Sequence, residues 1–233
     1  MNTYRKNAIT AGVLLLIGFA GVVTMLTYGP ILNSQDYLAR LAANENSVLA
    51  GVVFYLIMAL ACGGIAIALY PVLKKHSEGL ALGAAGFRLM ETPLQILGVV
   101  FVMLLLTLSH EFVKAGAPAA SHFQTTGAFL LAGYDWVGNV AITLPWAIGA
   151  AMYHWIFYKT KLIPRWLAGW GLIGVPVALV GCLLLIVGTI KSSDALATVL
   201  NLPLGVQEIP LALWLIIKGF NPKALAALQA KQA

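Results

Sequence analysis

Residues 80–108 read LALGAAGFRLMETPLQILGVVFVMLLLTL, and this stretch decides the fold. It is long enough to cross about 30 Å of hydrocarbon at about 1.5 Å per residue. Yet Arg88, Glu91, Thr92, Pro93 and Gln95 all lie inside it. Its apolar residues do not alternate with period two, so a helix fits and a strand of an outer-membrane barrel does not. Working outward, five more apolar segments of the same kind appear, at roughly 8–28, 47–71, 126–158, 165–190 and 196–217. The first follows Tyr4-Arg5-Lys6, is too long for the apolar part of a signal peptide, and is read as a retained span. The expected fold is therefore all-α, a polytopic membrane bundle of six transmembrane helices forming a single domain, 1–233.

Composition agrees. Of 233 residues, 61% are hydrophobic and 9% charged, which is too little charge to cover a water-soluble domain of this length. The formal net charge of +6 suggests nucleic acid as a partner, but the positions of the charges argue for a membrane. Ten of the fourteen basic residues (Arg5, Lys6, Lys74, Lys75, Lys159, Lys161, Arg165, Lys218, Lys223 and Lys231) fall at the N-terminus, in the second and fourth loops, and at the C-terminus. With six spans these places share one side, so positive residues orient both termini to the cytoplasm. The expected partners are membrane lipids and a small-molecule, proton or cation ligand, not nucleic acid.

Other motifs yield less. Cys62 and Cys182 lie in mid-span and read as small packing residues. His76, His110, His122 and His154 lack metal-ligand spacing, so no metal or other cofactor is expected. Gly169-Trp-Gly-Leu-Ile-Gly174 spells a dinucleotide fingerprint, but no strand precedes it; close helix packing accounts for its glycines. Gly79 and Gly83 offer a close-packing face to a second copy, so a homodimer is an expected partner state.

An internal duplication is suggested twice. Gly12, Leu15, Leu16, Gly18 and Val22 match Gly127, Leu130, Leu131, Gly133 and Val137, while spans three and six share Glu-x-Pro-Leu at Glu91–Leu94 and Glu208–Leu211. Spans two and five align poorly. Two three-helix halves, 1–110 and 120–220, would be inverted relative to each other because three is odd.

The candidate site comes from charges at membrane depth. Counted from Leu80, Arg88 lies about 12 Å deep and Glu91 about 16 Å, while Glu208 lies about 18 Å from the other face and Asp135 enters span four from that face. Arg88, Glu91 and Gln95 share one helical face, Asp135 and Asn139 a second, and Asn201, Gly205 and Glu208 a third. Arg88, Glu91, Gln95, Asp135, Asn139 and Glu208 are thus expected to converge as one ligand- or proton-binding site. Arg88 neutralises one carboxylate, Glu91 on its own helix or Asp135 across the bundle, and the remaining acids hold protons or a cation. Glu208 has no basic residue in its span before Lys218 and reads as the uncompensated acid. Pro93 and Pro210 withhold an N–H from the Leu89 and Val206 carbonyls, which predicts helices broken beside the two glutamates.

Three functions fit these residues. They are a proton- or cation-linked small-molecule carrier or ligand-binding protein, an intramembrane enzyme on a lipid or isoprenoid with a buried carboxylic acid as general acid, and an accessory subunit without chemistry. No catalytic residue is assigned. The enzyme needs a lipid-sized cavity at the acid, and the accessory subunit a dry core.

The stretches YRKNAITAGVLLLIGFAGVV (4–23), DYLARLAANENSVLAGVV (36–53) and above all ALYPVLKKHSEGLALGAAGFRLMETPLQILG (68–98) resemble the domain-of-unknown-function 4386 family of bacterial membrane proteins. The resemblance covers nearly the whole chain and places Arg88 and Glu91 on the family's Arg-x-x-Glu. It implies a multi-pass protein of the bacterial inner membrane and brings no activity with it.

Overall fold

Each apolar segment is a helix, and six helical stretches are long and apolar enough to cross a membrane. The structure is a computed structural model and describes residues 2–118 and 122–230; Lys231, counted above among the basic residues, lies outside them. The first span is α1 (Thr3–Gly18) continued by a 3-10 helix, Phe19–Met25. Two short helices, α2 (Gly29–Leu32) and α3 (Tyr37–Ala43), fill the first loop. Spans two and three are α4 (Glu45–Leu73) and α5 (Glu78–Lys114). Span four is α6 (His122–Trp136), a π-helix over Val137–Ile142, and α7 (Thr143–Thr160). Then come α8 (Arg165–Ile186), α9 (Ala195–Ile217) and a short surface helix, α10 (Pro222–Ala230).

The spans pack as a ring in chain order, each against the next, and span six closes back onto span one. Arg5 fastens that closure: its Nη1 donates to the Leu215 carbonyl at 3.0 Å and its Nη2 to the Ile216 carbonyl at 2.5 Å. These are carbonyls that the end of α9 leaves without helical partners, and a cation there also suits the helix dipole. Gly12 lets α1 approach that closely, since a Cβ there would lie 2.7 Å from the Ala212 carbonyl oxygen. The outer surface is apolar, with Leu60, Ile67 and Ile173 each about two-thirds exposed, a surface suited to lipid tails and not to water. Length, composition and this surface together make the chain a multi-pass membrane protein.

α5 shows why the middle of the ring is polar. Its buried residues recur every three or four positions, through Ala81, Ala84, Arg88, Glu91, Gln95, Gly98, Val102, Leu105, Ser109 and Phe112. That spacing is the seam of a left-handed helix packing. The seam runs from alanines that join one apolar core to valines and leucines that join another, with three polar residues between. One core lies toward the end that carries the termini, the other toward the opposite end.

Two expectations about helix continuity change. α5 and α9 run unbroken through Pro93 and Pro210, so the glutamates sit on continuous helices. The irregularity falls instead in span four, where the π-helix precedes Pro145. Pro145 has no N–H for the Ala141 carbonyl, and the wider π turn absorbs that loss before α7 resumes. Of the fingerprint-like glycines, Gly174 packs on the backbone of Leu204 and Gly171 on the ring of His154, while a Cβ at Gly169 would meet only Tyr158, at 3.9 Å. Gly83 packs against Met152 of the same chain, and Gly79 meets nothing.

Candidate functional site

α5, α7 and α9 bring one cation and two acids together. Arg88 Nη1 lies 3.1 Å from Glu91 Oε1, one turn along α5, and 3.5 Å from Glu208 Oε1 on α9. Arg88 and Glu91 are fully buried, at 2% and 1% exposure, and the Glu208 side chain is 13% exposed. Trp146 of α7 donates its indole N–H to the same Glu208 oxygen at 3.0 Å. Gly205, one turn before Glu208, lies beside the Trp146 ring, at a distance where a Cβ would make only an ordinary contact of 3.9 Å. Gly149 makes room for Arg88, because a Cβ there would lie 3.0 Å from the arginine's Cγ. Trp146, Gly149 and Tyr153 therefore form the α7 stripe that faces the charges.

The contacts to Arg88 are Coulombic more than directional. At 3.1 and 3.5 Å the groups attract strongly, but among the described residues no guanidinium nitrogen makes an aligned hydrogen bond. Nor does the buried Tyr153 hydroxyl. Arg88 and Tyr153 line a cavity of only about 10 Å³, the lower limit for a single water. Ala81, Ala84 and Ala85 complete that cavity on the α5 side, and neither glutamate lines it. Beside the centre, Gln95 contacts the Cys62 sulfur at 3.7 Å, and Thr92 donates to the Ala59 carbonyl at 2.8 Å.

Glu208 is thus corrected from an uncompensated acid to a partner of Arg88. The other correction is Asp135, which does not face Arg88. Its Oδ2 accepts from Ser192 Oγ at 2.9 Å, in the loop between α8 and α9, and Asn139 Nδ2 donates to the Asp135 carbonyl at 3.0 Å. Both residues line a pocket of about 700 Å³ at the end opposite the termini. Span four is 39 residues long, well over what a bilayer needs, so counting depth from its start placed Asp135 too far in. Asn201 turns to its own helix, with Nδ2 donating to the Ala197 carbonyl at 3.1 Å.

Three polar groups are absent from the sequence reading, Trp146, Tyr153 and Gln207, and His154 enters it only as a residue without metal-ligand spacing. Trp146 and Tyr153 flank Gly149 at helical spacing, a signal that could have been used. His154 is fully buried against Gly171, and Gln207 donates to the Leu167 carbonyl at 3.0 Å, tying α9 to α8. Among the described residues no three of His, Cys, Asp and Glu gather as a metal site.

Two comparisons with known proteins return nothing: neither a curated protein nor a solved structure matches the chain. A family model does match, over residues 10–219, and so takes in every residue of both the buried centre and the Asp135 pocket. The chain therefore belongs to the family described as Domain of unknown function (DUF4386).

Proposed function

We propose that this protein is a proton- or cation-linked carrier or ligand-binding protein of the bacterial inner membrane, with both termini cytoplasmic. One observation supports the reading above the others: two buried carboxylates share one guanidinium. If all three ionise, one negative charge is left over at a depth where a bare charge costs about 3 kcal/mol by insertion scales. A proton or an entering cation removes that cost, and exchange of one for another is what coupling requires. Glu91 and Glu208 stand in the two Glu-x-Pro-Leu repeats, the positions an inverted duplication would relate. The orientation follows from the basic residues around Arg5, Lys74, Lys159 and Lys218, all at the end that carries the termini.

The cavity of about 10 Å³ at Arg88 favours a second reading, an accessory subunit whose charges lock the helices in register. Infrared difference spectroscopy on purified protein across about pH 5 to 9 separates the two readings. A carrier centre shows the carbonyl band of a neutral carboxyl group that responds to pH and is lost when Glu91 and Glu208 are both replaced by glutamine. A well-folded sample with no such band makes the triad a register lock.

A further inference from the structure

The pocket at the opposite end differs from the buried centre in having room. Its volume of about 700 Å³ falls in the range of small-molecule sites, about 300–1,000 Å³. Leu32, Leu131 and Leu185 give it apolar walls, and Tyr37 and Trp136 add aromatic faces. Two charged side chains line it, Asp135 and Lys191. Lys191 is exposed, and its backbone N–H closes a turn onto Asp194 Oδ2 at 2.8 Å. Asp135 is half-buried, and among the described residues no cation approaches it within 4.0 Å. A carboxylate accepts at about four positions, and the Ser192 hydroxyl fills one of them.

We propose that this pocket binds an organic ammonium group, with Asp135 as counter-ion, Ser192 holding the carboxylate, and Tyr37 and Trp136 as the aromatic wall. An ammonium with a short apolar body satisfies a lone carboxylate, aliphatic walls and aromatic faces together. A hard metal ion fits less well, because beside the one carboxylate the pocket offers it only neutral oxygens such as those of Asn33, Gln35 and Ser192, and a metal ion leaves the apolar and aromatic walls unused. An anion would meet Asp135 in the wall. The π-helix adds an independent sign: Asn139 and Val140 belong to it and line the pocket, and such insertions recur at functional sites. The proposal stands without the proton-exchange reading, since it concerns equilibrium binding at the other end of the fold. The ammonium could belong to a free amine or to an ethanolamine lipid headgroup.

The test is calorimetric titration of the full chain in phosphatidylglycerol nanodiscs with choline, hexyltrimethylammonium and the neutral choline isostere 3,3-dimethylbutan-1-ol. Both ammonium probes should bind and the neutral one should not, and Asp135→Asn should weaken binding at least about tenfold. Ala132→Trp, which fills the pocket without touching the charge, should do the same and stands in if the first variant folds poorly. In phosphatidylethanolamine discs, unchanged affinity identifies a free amine and weakened affinity identifies a competing headgroup; both uphold the ammonium site. Infrared spectra of the same sample report on the buried centre separately, so a silent exchange centre leaves this result intact. Equal binding of the neutral probe, no binding of either ammonium, or full binding by Asp135→Asn overturns the proposal.

Discussion

The buried centre and the Asp135 pocket use the same chemical group in opposite ways. At the centre, Glu91 and Glu208 crowd one guanidinium, and the cavity beside it is about 10 Å³. At the pocket, Asp135 has one hydroxyl partner, no cation within 4.0 Å among the described residues, and about 700 Å³ around it. The first arrangement makes the protein its own counter-ion; the second leaves that role to something else. Span four joins them, with Asp135 before the π-helix and Trp146 after it. A carboxylate in a membrane helix is thus not informative by depth alone. What matters is whether the bundle supplies its partner.

The largest expected effect comes from taking the partner away. Arg88→Leu leaves two buried carboxylates facing each other, and breaking such a set costs about 3–5 kcal/mol. Folded yield in detergent, read as the monodisperse fraction and the unfolding midpoint, should collapse. Adding Glu91→Gln and Glu208→Gln should recover most of it, because no stranded charge remains. Adding Asp135→Leu should recover nothing, and Asp135→Leu alone should shift stability by only about 1 kcal/mol, the loss of its Ser192 hydrogen bond at a half-buried position. Rescue of Arg88→Leu by Asp135→Leu would erase the distinction between the two regions.

These outcomes bear on what could be read before the fold was seen. The six spans, the seam of α5 and the Arg88–Glu91 proximity follow from apolar length and from helical spacing within one segment. The Glu208 partnership does not follow, because spacing gives each helix a polar face but not its rotation against another helix. Asp135 was misplaced for a related reason: its partner Ser192 lies in a loop, and no periodicity reports where a loop folds back. Trp146 at mid-span reads as one more apolar side chain until Gly205 is seen beside it. The π-helix adds no residue type of its own; Gly138, Asn139 and Pro145 are its faint trace. Pro93 and Pro210 mislead in the other direction, since α5 and α9 continue through them.

A smaller and more selective effect should follow insertion of one alanine after Gly138 in the π-helix. The wide π turn already absorbs one extra residue, so a further one turns one flank against the other by about 100°. α7 buries nine residues in the bundle, whereas α6 buries only Gly127, so α6 is the flank that gives way. Asp135 should then leave its pocket while Trp146 stays on Glu208. Choline binding should fall at least about tenfold, and the carboxyl band of the centre should persist. If both signals disappear together, span four is one rigid unit and the two regions are not separable.

The smallest effect concerns the single N–H that Trp146 gives to Glu208. Trp146→Phe keeps an aromatic ring near Gly205 and removes only the donor. Side-chain hydrogen bonds inside membrane bundles are worth about 0.6 kcal/mol on average and at most about 1.7, so the unfolding midpoint should drop slightly. The infrared band offers a sharper measure, because a carboxyl group that loses a donor changes its stretching frequency even where stability hardly moves. Glu208→Gln keeps an acceptor at the same place, so Trp146 should retain its bond and its fluorescence there, whereas Glu208→Leu should alter both. A double-mutant cycle between Trp146→Phe and Glu208→Leu isolates the pair. A coupling near zero would mean that Arg88 alone holds Glu208, and that span four reaches the centre only through the close packing at Gly149.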